Sequence, residues 1–165
     1  MAGVEPHFGV NASGPAVAAF DELLRRHEQR LFTVCRFLTT NRRDAEALLV
    51  EVFARAYRRT LRNPGDSSRV LYQALIEVSR EWRDERAELT GGNAARTKLS
   101  GFKRVCASIK QLPYDLKIMY LFRELLEIEP HELAALFSCP LAEVRATLHD
   151  ARARLRPVEN QTAAP

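Results

Sequence analysis

The chain has 165 residues, of which 46% are apolar and 28% charged, and it carries a formal net charge of +4. Such proportions suit a soluble globular protein of one domain or two small ones. They exclude a membrane-spanning chain and a strongly basic nucleic-acid coat. Three cysteines, Cys35, Cys106 and Cys139, are far apart and odd in number, and the four histidines His7, His27, His131 and His149 show no metal spacing. No disulfide framework and no bound metal are therefore expected, and a reducing cytoplasm fits. The N-terminus shows no basic segment followed by an apolar run, so no signal peptide is expected.

Residues 1–13 have no hydrophobic period and predict a mobile tail. Ser13 caps a helix that opens near Pro15 and runs to about Thr39, carried by Phe20, Leu23, Leu24, Leu31, Phe32, Cys35, Phe37 and Leu38. Asn41 caps a second helix over 42–61, with Ala45, Leu49, Val52 and Ala56 on its buried line. Asn63-Pro64-Gly65-Asp66 forces a turn. Asp66 or Ser67 then caps a third helix over 68–88, with Leu71, Ala74, Leu75, Val78 and Trp82 inward. Thr90-Gly91-Gly92-Asn93 is the best linker in the chain. Beyond it the spacing predicts helices over 99–111, 114–125, 130–137 and 141–156. The fold class is thus all-α, as two small helical domains, 14–89 and 101–157, joined by a flexible linker over 90–100.

Residues 129–156 are the most informative. Pro130 suits a helix's first turn, and Ser138-Cys139-Pro140 breaks the chain. A second helix resumes with Leu141, Val144, Leu148, Ala151 and Leu155 on one side. This layout is that of a helix-turn-helix or of an ordinary helical hairpin. The surface favours the former. Arg145, His149, Arg152 and Arg156 stand at i, i+4, i+7 and i+11, one cationic line beside the buried face, suited to tracking DNA phosphates. Asp150 on the opposite flank is answered by Arg154 at i+4, whereas Glu143 has no evident partner. The early positions Ala142, Glu143, Ala146 and Thr147 offer sparse contacts to base edges, Thr147 through its methyl group.

Three stretches together resemble the extracytoplasmic-function sigma factors of bacteria. The first is Asp44-Ala45-Glu46-Ala47-Leu48 followed by Glu51-Val52-Phe53-Ala54-Arg55-Ala56. The second is Leu71-Tyr72. The third runs from Leu112-Pro113 through Leu121-Phe122-Arg123-Glu124, Glu132-Leu133-Ala134 and Cys139-Pro140-Leu141 to Leu148-His149-Asp150-Ala151-Arg152. The likeness spans about residues 19–156. It implies an alternative sigma factor with RNA polymerase core, promoter DNA and an anti-sigma factor as partners, in the cytoplasm. It places Asp44, Glu46, Val50, Glu51 and Arg55 at the polymerase-core contact, and Arg145, Thr147, His149, Arg152 and Arg156 on DNA.

Departures from that family keep a second reading open, a sigma-like regulator that acts by binding protein without recognising a promoter. Ala47, Val50 and Ala54 make the docking helix more apolar on its outward face. Over 77–88 five acids, Glu77, Glu81, Asp84, Glu85 and Glu88, face three arginines, Arg80, Arg83 and Arg86, giving a net −2 where the family is basic. Such a charge opposes single-stranded DNA. Phosphorylation of Thr39, Thr40 or Thr60 would restore lost acidity beside the docking helix. A dimeric helix-turn-helix regulator of another kind lacks a dimerisation helix here. Gly91-Gly92 does not form a phosphate loop, and no nucleophile-base set exists, so neither an enzyme nor a cofactor is expected.

Overall fold

The computed structural model describes residues 14–62, 66–87 and 101–160, and those residues form seven α-helices and no strand. They are α1 (Gly14–Leu38), α2 (Arg42–Arg62), α3 (Ser67–Ala87), α4 (Gly101–Gln111), α5 (Tyr114–Leu125), α6 (Pro130–Phe137) and α7 (Leu141–Asn160). The fold class is all-α, as the hydrophobic periods predict. The expected tail with Ser13, the Asn63-Pro64-Gly65 turn, the 90–100 linker, Glu88 and residues 161–165 lie outside the described residues. α7 runs four residues past the predicted end at Arg156 and carries Pro157 in its last turn. A proline there removes only one rung of a ladder that is about to end.

Local chemistry starts these helices where the sequence puts them. Asn41 Oδ1 accepts the Asp44 amide at 2.9 Å, and its Nδ2 donates to the Asp44 carboxylate at 3.0 Å. Asp66 Oδ1 accepts the Arg69 amide at 3.1 Å. At α6, Glu129 and Glu132 form a reciprocal capping box around Pro130. Ser138 closes α6 in the left-handed region at φ 53, which turns the chain sharply into α7.

Helices α1, α2 and α3 pack around Phe20, Leu31, Val34, Leu48, Val52, Leu71 and Leu75, all buried. Helices α4 to α7 enclose Ile118, Leu121, Phe122, Leu133, Leu148 and Leu155. Cys35 belongs to the first group, and burial pushes its thiol up to about 12, leaving it unreactive. The two groups meet where α1 touches α4 and α5 and where α3 touches α6. There the Tyr72 ring lies against Phe122, centroids 6.0 Å apart, and its hydroxyl is 3.2 Å from His27 Nδ1. Burial first, then Arg30 and Arg26, lower the His27 pKa and favour the neutral ring able to accept from Tyr72. Tyr114 Oη sits 2.6 Å from Ser79 Oγ, and the Arg83 guanidinium lies 4.5 Å over the Tyr114 ring. Arg30 reaches Glu127 at 3.0 Å.

The acidic stretch of α3 is the main correction to the sequence reading. Arg55 on α2 grips Glu81 through two hydrogen bonds of 2.6 and 2.7 Å, and Arg59 grips Glu77 at 3.0 and 2.6 Å. Glu51 lies 3.6 Å from both Arg55 and Arg58. Three arginines and three glutamates thus balance, and Asp84 pairs with Arg83 at 2.8 Å. Of the five acids counted as a field against DNA, Glu77 and Glu81 are taken up by helix pairing.

Replacing Tyr114 by Phe removes the hydroxyl bond across the seam. Ser79 keeps the Ile76 carbonyl at 3.1 Å, so the cost is about 1 kcal/mol in urea unfolding; an unchanged midpoint would show that the bond contributes nothing. The hydrogen bond from Arg55 lowers the Glu81 pKa from its ordinary 4.5. Its contribution is therefore complete above that value and fades as pH falls through the depressed folded value. Glu81→Gln costs roughly 0.2–1 kcal/mol at neutral pH, the range for exposed pairs, and it flattens the acid limb of stability. Urea midpoints between about pH 6 and about pH 3 check this, and parallel curves for both proteins would contradict it.

Candidate nucleic-acid interface and docking groove

The rotation of α7 follows from its apolar edge. Val144, Leu148, Ala151 and Leu155 are buried, packed against α4, α5 and α6. At about 100° per residue, the line Arg145, His149, Arg152 and Arg156 falls a quarter turn away, and all four side chains are exposed. They line one cleft of about 400 Å³ together with Arg123 of α5 and Pro130 of α6. Thr147 is half-buried and does not line it. It sits about 200° round the helix from Arg145, so the structure separates it from the other four expected DNA residues. Asp150 is held by Arg154 at 3.0 Å, as its spacing predicts.

Arg123 lines the same cleft, which the helical period of α7 could not reveal. It lies on another helix and enters the cleft through packing. Its guanidinium donates to Glu129 at 2.8 Å and to the Ile128 carbonyl at 3.3 Å. Arg152 is bonded to Glu124 at 2.7 Å. Among the described residues no carboxylate lies within ion-pair distance of Arg145 or Arg156. Among the described residues the cleft therefore presents two guanidinium groups without an ion-pair partner, Arg145 and Arg156, beside two that are paired, Arg123 and Arg152.

The five residues expected at the polymerase contact divide into two sets. Glu46 and Val50 line a groove of about 720 Å³ between α1 and α2, with Phe32, Leu49 and Phe53 in its wall and Arg25 and Arg42 on its rim. Val50 is 67% exposed at a point where helices usually carry polar groups. Glu46 pairs with Arg42 at 2.7 Å. Asp44 is engaged in capping α2 with Asn41, while Glu51 and Arg55 belong to the α2–α3 ion-pair network. The groove is thus apolar inside and mixed in charge at its edge. Thr60, one of the residues considered for phosphorylation, is 3% exposed, so the folded protein closes it to a kinase. The Thr39 hydroxyl is bound to the Cys35 carbonyl at 2.8 Å, and Thr40 is exposed. Trp82 packs against the core from a half-buried position.

Among the described residues no three His, Cys, Asp or Glu side chains gather as metal ligands, and no helix is long and apolar enough to cross a membrane. No protein-family model matches the chain, and no curated protein does. Among solved structures it is similar to CnrH, determined in complex with the cytosolic domain of CnrY. The TM-score is 0.66 at 18% identity, over 92% of this chain and 96% of that one. The likeness is one of fold.

Proposed function

We propose that this chain is an alternative sigma factor that directs RNA polymerase to a specific promoter. The observation that carries the reading is the helix-turn-helix of α6 and α7, whose cationic edge is turned outward within a sigma-type fold. α7 lies along duplex DNA with Arg145, His149, Arg152 and Arg156 against phosphates, joined by Arg123. The α1–α2 groove, with Glu46 and Val50, receives polymerase core. Its contact is more apolar and less charge-driven than the family's, because Asp44, Glu51 and Arg55 are occupied within the fold. The α2–α3 network supports promoter opening by α3, since two of the acids that would repel single strands, Glu77 and Glu81, are paired with Arg59 and Arg55. The domain roles follow: 14–89 binds core, 90–100 tethers and 101–157 reads the promoter. An anti-sigma protein holds the chain inactive in the cytoplasm, a reading supported by the solved complex of CnrH with CnrY.

A second reading, a sigma-like regulator that binds protein without promoter recognition, draws on one observation. Val50 stands exposed in a groove suited to an apolar partner surface. Retention of polymerase core on immobilised protein, followed by run-off transcription from genomic fragments, separates the two. The sigma reading predicts both retention and discrete starts. Core retention without starts would favour the regulator, and no retention would end the sigma reading. Arg152→Glu is expected to abolish promoter binding while leaving core retention intact; simultaneous loss of both would signify unfolding. Val50→Asp is expected to weaken core retention about tenfold, the size of a desolvated apolar anchor, with unchanged retention counting against the groove.

A further inference from the structure

The cationic cleft carries its own counter-ions. Below it, Arg123, Arg152, Glu124, Glu127 and Glu129 line a second depression of about 340 Å³. The three carboxylates have different commitments. Glu129 caps α6 and pairs with Arg123, and Glu127 ties the loop to Arg30 of α1. Among the described residues Glu124 has one ion-pair partner, Arg152, reached across 28 residues of sequence at 2.7 Å. It stands next to the last residue of α5, where the helix dipole disfavours a negative charge. Nothing within its own helix explains it. Its geometry is that of an acceptor oxygen on a guanidinium, the position a DNA phosphate oxygen takes.

We infer that Glu124 is an internal phosphate substitute, and that DNA binding by this edge exchanges one carboxylate for one phosphate at Arg152. The inference rests on the reading that the α7 edge meets duplex DNA. The pair is exposed on both sides, 51% at Arg152 and 38% at Glu124, so it is weak enough to be displaced. Its effect is on selectivity. A phosphate elsewhere on a duplex must compete with Glu124 for Arg152, whereas Arg145 and Arg156 are open at once. Binding to arbitrary DNA is held down, and a duplex positioned by polymerase and by base contacts overcomes the competition.

The test is anisotropy of a labelled random-sequence duplex of about 30 base pairs with the full chain, titrated between about 50 and about 200 mM salt. Glu22→Gln is the matched control, since it removes one negative charge on α1 from a pair with Arg26. Glu124→Gln is expected to bind more tightly than that control. Its plot of log affinity against log salt should be steeper by about 0.9, one more phosphate neutralised, which is about a threefold larger loss over that range. Adding Glu124→Gln to Arg152→Gln should give no gain, because the two act through one contact. A slope equal to the Glu22→Gln control, or weaker binding, would overturn the inference and leave the DNA reading standing. Equal binding by wild type, Glu124→Gln and Arg152→Glu would instead remove the edge from the DNA interface, and both readings with it.

Discussion

The burial of one edge of α7 governs the rest of the molecule's chemistry. Val144, Leu148, Ala151 and Leu155 leave water together, and a helix with a single apolar edge has one favourable rotation. Each of those side chains is worth of order 1–3 kcal/mol when fully buried. That is enough to hold Arg145, His149, Arg152 and Arg156 in one exposed line. The sharp turn at Ser138, held by the capped start of α6, sets where α7 begins. The cleft exists because α7 cannot roll.

The seam between the helix groups is of another kind. It combines the aromatic contact of Tyr72 with Phe122, the hydrogen bond of Tyr114 with Ser79 and the ion pair of Arg30 with Glu127. Interfaces of mixed polarity resemble those between domains that move. Within the sigma reading, this allows α1–α3 and α4–α7 to rest together in the free protein and to engage polymerase and DNA at different places.

Helix positions were legible because the evidence for them is local. An apolar period, an Asn or Asp cap and a proline in a first turn all act within a few residues. An ion pair four apart was legible for the same reason, as with Asp150 to Arg154. What the sequence hid depends on helices meeting. Glu81 reads as a free acid until Arg55, 26 residues away, is packed against it. Arg123 and Glu124 read as ordinary surface charges until α7 is laid beside them. Thr147 shows how sequence neighbourhood and helix face can differ. It is a neighbour in sequence to the DNA edge, yet helical rotation carries it off that face.

Photocrosslinking tests the orientation of α7 most directly. A photoreactive residue replaces His149, at the centre of the line, in protein assembled with polymerase core on duplex genomic DNA. The account predicts adducts to DNA that cluster at one fixed distance upstream of the start. Adducts confined to polymerase subunits, or none to DNA in a complex that still initiates, would contradict it.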